Sequence, residues 1–278
     1  MAVSCNLSDG VILGVDSAIT IPSPTGVAKV YEKADKLFQL KDLPIGVATF
    51  GLGTLQNRSI GSFLREFEIN DPNKVLSNYQ SLASVVEEMR VFFSGIYMST
   101  VAPALAKEIG SPFERIPPDK KPVLGFLVGG FSPKSFLSEV WSMLIPLHSQ
   151  PNSAAANRKP GDFGTNWFAM YEPIQRYFKG VSESLLDEIV GFFTARSSPL
   201  SPQEQTQFAS LLAKHEVQVP YWSMPIREGI EHVRFLVGMV VSHHRYAMGA
   251  PIVGGKVNIG LVTYKGEKFR ILGENEIV

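Results

Sequence analysis

Apolar and polar positions along the chain fall into blocks of two different periods. Ala2 to Leu7 is short and mostly apolar, and Ser8-Asp9-Gly10 carries a turn signal. Val11-Ile12-Leu13-Gly14-Val15 is nearly continuous apolar sequence, the pattern of a strand covered on both faces. A loop is expected at Ser23-Pro24-Thr25-Gly26. Lys36 to Leu40 and Ile45 to Phe50 then predict a second strand pair, ended by Gly51-Leu52-Gly53. Helical spacing follows, over Thr54 to Glu68 and over Ser77 to Ile109, where Leu82, Val85, Val86, Met89, Phe92 and Phe93 share a face. Pro103 is expected to kink or divide the second of these helices.

Strands return at Val123 to Gly130 and Phe136 to Ile145, and the small, polar stretch from Gln150 to Phe163 predicts a long loop. Helices are expected within Trp167 to Lys179, Ser182 to Thr194, Ser201 to Lys214 and Pro225 to Tyr246. Ser201-Pro202-Gln203-Glu204 has the form of a capped helix start. Closing strands are expected at Lys256 to Tyr264 and Glu267 to Leu272, turned by Lys265-Gly266. Strand and helix blocks in this order predict an α+β fold of two antiparallel sheets with helices outside, not an alternating parallel sheet. No internal repeat or interdomain linker stands out, so residues 1–278 are expected to form one domain.

Composition narrows the function classes. The 278 residues carry 26 Lys+Arg and 26 Asp+Glu, so no net field attracts a polyanion and nucleic-acid binding is not expected. The single Cys5 excludes an intrachain disulfide and a cysteine-based zinc site. The most apolar helical stretch, Phe235 to Val241, is bounded by Arg234 and His243 and is too short to span a bilayer. With no leader pattern at Met1 to Cys5, a cytoplasmic protein is the expectation. There is no Walker loop, no dinucleotide fingerprint, no His-Glu-x-x-His and no nucleophile elbow. His243 and His244 are adjacent and cannot share one helix face; they, like His148, His215 and His232, read as structural.

Five segments remain: Asp9 to Ser17, Ala34 to Leu40, Gly46 to Gly53, Phe126 to Gly130 and Val253 to Thr263. In this order they resemble the proteasome β-subunit and HslV-type family of N-terminal-nucleophile hydrolases. The resemblance implies a four-layer αββα sandwich, a homo-oligomeric ring, a peptide or unfolded-protein substrate, an ATPase unfoldase as a possible partner, and no cofactor. It also implies a site. Lys36 would be the lysine beside the nucleophile, Asp16 the carboxylate that orients it and Gly51 the oxyanion donor, with Thr20 and Gly53 pairing substrate backbone. Thr165, in the turn Phe163 to Asn166, is the candidate by hydroxyl type for the family's later hydroxyl, whereas ungapped alignment through Phe168 puts Gly164 there. The chemistry is that of a terminal threonine hydroxyl whose own α-amine, with an ordinary pKa of about 7.7–8.0, serves as the base.

Here the nucleophile itself is absent. Ala2 occupies its expected position, with a separation from Asp16 two residues shorter than the family's. A hairpin shortened by two loses one residue from each strand and keeps its facing. The family's acid and hydroxyl before the closing glycines are also replaced, in the stretch Tyr246 to Val253. The resemblance therefore implies a threonine-type peptidase that is inactive with Ala2 in place. Its alternatives are a non-catalytic ring subunit, an amidase acting on small amides, and cleavage that exposes Ser4 or Cys5. A helical insertion on the outer face is expected around residues 182–222.

Overall fold

The structure is a computed structural model that describes residues 1–23, 26–195, 201–248, 252–264 and 268–273. Strands β1 (Ala2–Leu7) and β2 (Gly10–Asp16) form a tight antiparallel hairpin, with Ala2 opposite Val15 and Leu7 opposite Gly10. β2 then pairs with β13 (Val257–Thr263), and β1 with β12 (Gly164–Phe168). The first sheet runs β12-β1-β2-β13-β14, its last member being Arg270–Ile271. The second sheet runs β11-β10-β9-β6-β5, from Ala155–Arg158, Glu139–Ile145, Leu124–Gly130, Ile45–Gly51 and Leu37–Gln39. Both sheets are antiparallel throughout.

Period-two alternation divides the core into three packed layers. Val11, Leu13 and Val15 of β2 meet Ala48, Phe50 and Leu127 of the second sheet. Ile12, with Val3 and Leu7 of β1, faces Val233, Val237 and Val240 of helix α6 (Ile226–Tyr246). The outer face of the second sheet packs Val47 and Phe126 against Phe63, Val86, Met89 and Phe93, which belong to α1 (Ile60–Asn70) and α2 (Leu82–Ile109). Phe269 joins the two sheets. Its ring is fully buried and fills a slot floored by Gly46 on one sheet and Gly260 on the other, where a Cβ at either position would overlap it.

Several sequence expectations change at this level. Residues 54–59 are not helical; Thr54–Leu55 and Arg58–Ser59 make a two-residue ladder across Gln56 and Asn57, both at positive φ. The helix begins only at Ile60, capped by the Ser59 hydroxyl. Pro103 lies within α2 without ending it. The stretch from Trp167 opens as strand, and α3 covers only Glu172–Lys179. β11 lies inside the expected loop from Gln150 to Phe163. A further hairpin, β3 (Ile19–Ser23) with β4 (Gly26–Tyr31), flanks the expected loop at 23–26, of which Pro24 and Thr25 lie outside the described residues. Lys265, Gly266 and Glu267 also lie outside them. Helices α4 (Glu183–Thr194) and α5 (Pro202–Ala213) contain no buried residue. The capping box at Ser201 and Glu204 is formed. No helix among the described residues is long and apolar enough to cross a membrane.

Candidate active site at the end of the first sheet

The β1–β2 register carries Met1 to the end of β2, where Asp16 is the last residue. Asp16 is fully buried. Its Oδ1 accepts from the Met1 α-amine at 2.5 Å and from Lys36 Nζ at 2.8 Å. Its Oδ2 accepts from the Ala18 N–H at 3.1 Å and the Gly254 N–H at 3.2 Å. One carboxylate thus holds two cations and two backbone donors. Such full pairing is what makes a buried charge tolerable. The Ser17 hydroxyl donates to the Glu32 carbonyl at 2.5 Å and accepts from the Lys256 N–H at 2.7 Å. It fastens the chain before Lys36 and the chain around Gly254 to the same corner. The Lys36 carbonyl accepts from the Thr49 N–H at 2.8 Å, which ties that lysine to the second sheet.

Charge and burial act together on the titrating groups. Burial alone would raise the Asp16 carboxyl; the Met1 amine and Lys36, with the hydrogen bonds they donate, hold it below its ordinary 3.8. Burial pulls the Met1 amine below its ordinary 8.0; Asp16 opposes this shift and Lys36 reinforces it. The amine is therefore a proton acceptor more readily available near neutral pH than an exposed one.

Alternation places Ala2 on the face opposite Met1. Ala2 packs between the sheets with Leu37 and Phe50, whereas the Met1 side chain lies in the cluster against α6. The amine at Asp16 is that of Met1, and Ala2 stands one residue further along the strand. Gly51 ends β6 at φ +77°, where a Cβ would overlap the Val123 carbonyl oxygen. The preceding Phe50 stacks on Phe168 at 5.3 Å, and Phe168 is the cross-strand partner of Ala2. Gly53 sits against Ile19, and the next residue, Thr20, reaches the Ile252 carbonyl from its hydroxyl at 3.5 Å. Ala2, Asp16, Lys36, Gly51, Gly53 and Thr20 are thus grouped at one end of the two sheets.

Thr165 is not in this group, which corrects its selection by residue type. It pairs with Cys5, three residues along β12 from Phe168, about 10 Å away at strand rise. Cys5 belongs to the helix-facing cluster, and burial pushes its thiol up to about 12, far from nucleophile range. Ser4 is buried within β1 and accepts from Asn166 Nδ2 at 3.3 Å.

Three further residues at this corner were not assigned to it from the sequence. The backbone donors of Ala18 and Gly254 carry no side-chain signal. His244 lies on α6 within the electrostatic reach of the Met1 amine and Asp16, and burial, followed by His243 and that amine, lowers its pKa. Its signal was its spacing, four residues beyond the buried Val240 on the stripe that also holds Val233 and Val237.

No family model matches the chain, and no curated protein matches it. Among solved structures the chain is similar to Anbu (ancestral beta-subunit) from Yersinia bercovieri, at 12% identity and a TM-score of 0.47, covering 99% of this chain and 87% of that one. A likeness of that extent says nothing about chemistry. These findings overturn the membership in the proteasome β-subunit and HslV-type family that the five segments suggested. Short glycine-bounded strands recur wherever a buried antiparallel sheet needs tight turns, so their order alone does not specify a family.

Proposed function

We propose that the corner around Asp16 is the framework of an amide hydrolase of the N-terminal-nucleophile kind, built on the corresponding four-layer fold. The observation that carries this is the sharing of one Asp16 oxygen by the chain's α-amine and Lys36 Nζ, at 2.5 and 2.8 Å in a buried setting. Hydrolysis at such a corner needs a hydroxyl beside the amine. The hydroxyl oxygen attacks the substrate carbonyl carbon and its proton passes to the amine. The oxyanion is held by the Gly51 N–H and faced by the Lys36 ammonium. The amine's proton then leaves with the departing amine of the substrate, and water hydrolyses the remaining ester by the reverse transfers. Asp16 holds Lys36 in place. Thr20 on β3 and Gly53, just past the end of β6, flank the corner where a peptide backbone lies.

Met1 and Ala2 supply neither hydroxyl nor thiol, so the chain as given is without turnover. The competent form is a threonine-type peptidase subunit of a ring-shaped homo-oligomer acting on peptides. Two variants test this, Ala2→Thr with Met1 removed, and Met1→Thr released from a cleavable leader. Either is expected to hydrolyse a fluorogenic peptide amide and to gain the mass of an electrophile that captures terminal threonine. Hydrolysis of small amides but not peptides would assign an amidase instead. If both variants fold and neither reacts, the proposal fails.

A second reading is a structural subunit without chemistry. The burial of both apolar side chains, Met1 and Ala2, favours it. It requires that the protein assemble and that both threonine variants stay inert.

A further inference from the structure

A cavity of about 580 Å³ opens at the end of the second sheet where Gly51 lies. Leu124 pairs with Gly51 on one side and with Ile145 on the other, and Val123 and Pro146 stand one residue beyond that row. Both line the cavity, together with Met98 of α2, Phe113, Pro118 and Leu147. The Val123 carbonyl fills the space beside Gly51 and accepts from the Leu52 N–H at 2.8 Å. One residue therefore joins the proposed oxyanion donor to the cavity wall. The Tyr97 hydroxyl donates to the Pro122 carbonyl at 2.7 Å, which fixes the approach to β9 against α2. Pro118, Pro122 and Pro146 restrict the backbone around the opening, so its shape is set before anything enters. The charges in the lining cancel, Glu114 against Lys121, whose ammonium lies 4.5 Å from the Phe113 ring centre. The Ser149 hydroxyl already donates to the Pro146 carbonyl at 2.5 Å. Leu147 is 69% exposed, and Met98 and Val123 are also open to solvent.

We infer that this cavity receives a large apolar side chain of a peptide lying across the sheet end, with its scissile carbonyl at Gly51. The inference rests on the hydrolase reading of that corner and names its substrate class. Neighbouring strands lie about 4.8 Å apart, so the end of β10 is about 10 Å from Gly51. An extended peptide rises about 3.3 Å per residue and covers that span in roughly three residues. The residue that reaches the cavity is therefore the third from the cleaved bond. Six apolar side chains with no net charge between them accept an aliphatic or aromatic group and offer an acidic or amide group too few partners.

The test is binding of three capped peptides to the unaltered full chain, read by saturation-transfer NMR on the ligand. They are acetyl-Phe-Ala-Ala-amide, acetyl-Ala-Ala-Phe-amide and acetyl-Ala-Ala-Ala-amide. One phenylalanine peptide is expected to bind at least about tenfold more tightly than the alanine peptide, and Leu147→Asp to abolish that advantage. Should Leu147→Asp not fold, Met98→Asp takes its place. Equal binding of all three peptides, or an advantage that survives both substitutions, would overturn the inference. A dimer that Leu147→Asp dissociates would also overturn it, by giving the cavity to a second copy. The hydrolase reading has its own readout. Threonine variants that stay inert while the phenylalanine advantage holds sink that reading and leave the cavity assigned; turnover indifferent to the third residue does the reverse.

Discussion

Asp16 is the residue on which the candidate site turns, because it alone meets both cations. Replacing it by Asn leaves the Met1 amine and Lys36 buried together without a counter-charge. We expect Asp16→Asn to lose about 3–5 kcal/mol in urea unfolding, the cost typical of breaking a buried pair. The pH profile follows from the shifts. The Asp16 carboxyl lies below 3.8 in the fold, so its contribution is present above that value and is lost as pH falls through the folded pKa. The Met1 amine also lies below its ordinary 8.0, so the unfolded chain binds more protons in that window. Stability therefore rises with pH up to about 8. Unfolding midpoints measured from pH 3 to 8 should climb in the native chain, with a shallower acid-side climb in Asp16→Asn; what remains there comes from other lowered carboxyls such as Asp71 and Glu87. Asp16 and Lys36 were picked out in the sequence only through the resemblance carried by the five segments; the buried ion pair between them belongs to the folded corner. Thr165 was misjudged because a hydroxyl names a chemistry but not a direction. Its register against Cys5, which fixes its face and its distance from Asp16, belongs to the pairing of β12 with β1.

The terminus of β6 is the element most exposed to a single change. Gly51 needs both a left-handed φ and the space beside the Val123 carbonyl. Gly51→Ala is expected to cost more than about 1–2 kcal/mol in thermal unfolding, since the collision adds to the backbone penalty. Long elements with sustained periodicity, α2 and α6 above all, could be read from the chain. Several short ones could not, although β5 and β14 fall inside expected strands. The ladder at residues 54–59 hides inside a stretch with helical spacing, and only Gln56-Asn57 hints at a turn. β12 is five residues long and ends in aromatics that equally suit a helix start, and its strand character comes from the free edge of β1 that it covers. β11 has no apolar run because its side chains are only half-buried.

At the scale of the whole molecule, block order was enough to foresee two antiparallel sheets with helices outside, because each sheet must cover both faces. Helices α4 and α5 were also visible, but not how lightly they sit. α4 and α5 bury no residue, although Phe193 and Phe208 meet at 6.5 Å. Their amides should therefore exchange with solvent far faster than those of β2 and β9 in native-state hydrogen exchange, and equal protection would refute that ranking. The first sheet has one more property. The opening hairpin is bordered on one side by β12 and on the other by β13, which begins only at Val257. A nascent polypeptide leaving the ribosome thus displays Val11, Leu13 and Val15 long before their neighbours have been translated, and the aromatic wedge Phe269 emerges later still. Chains arrested before residue 257 should stay open to proteolysis, leaving chaperones to shelter the β1–β2 hairpin until β13 has been translated.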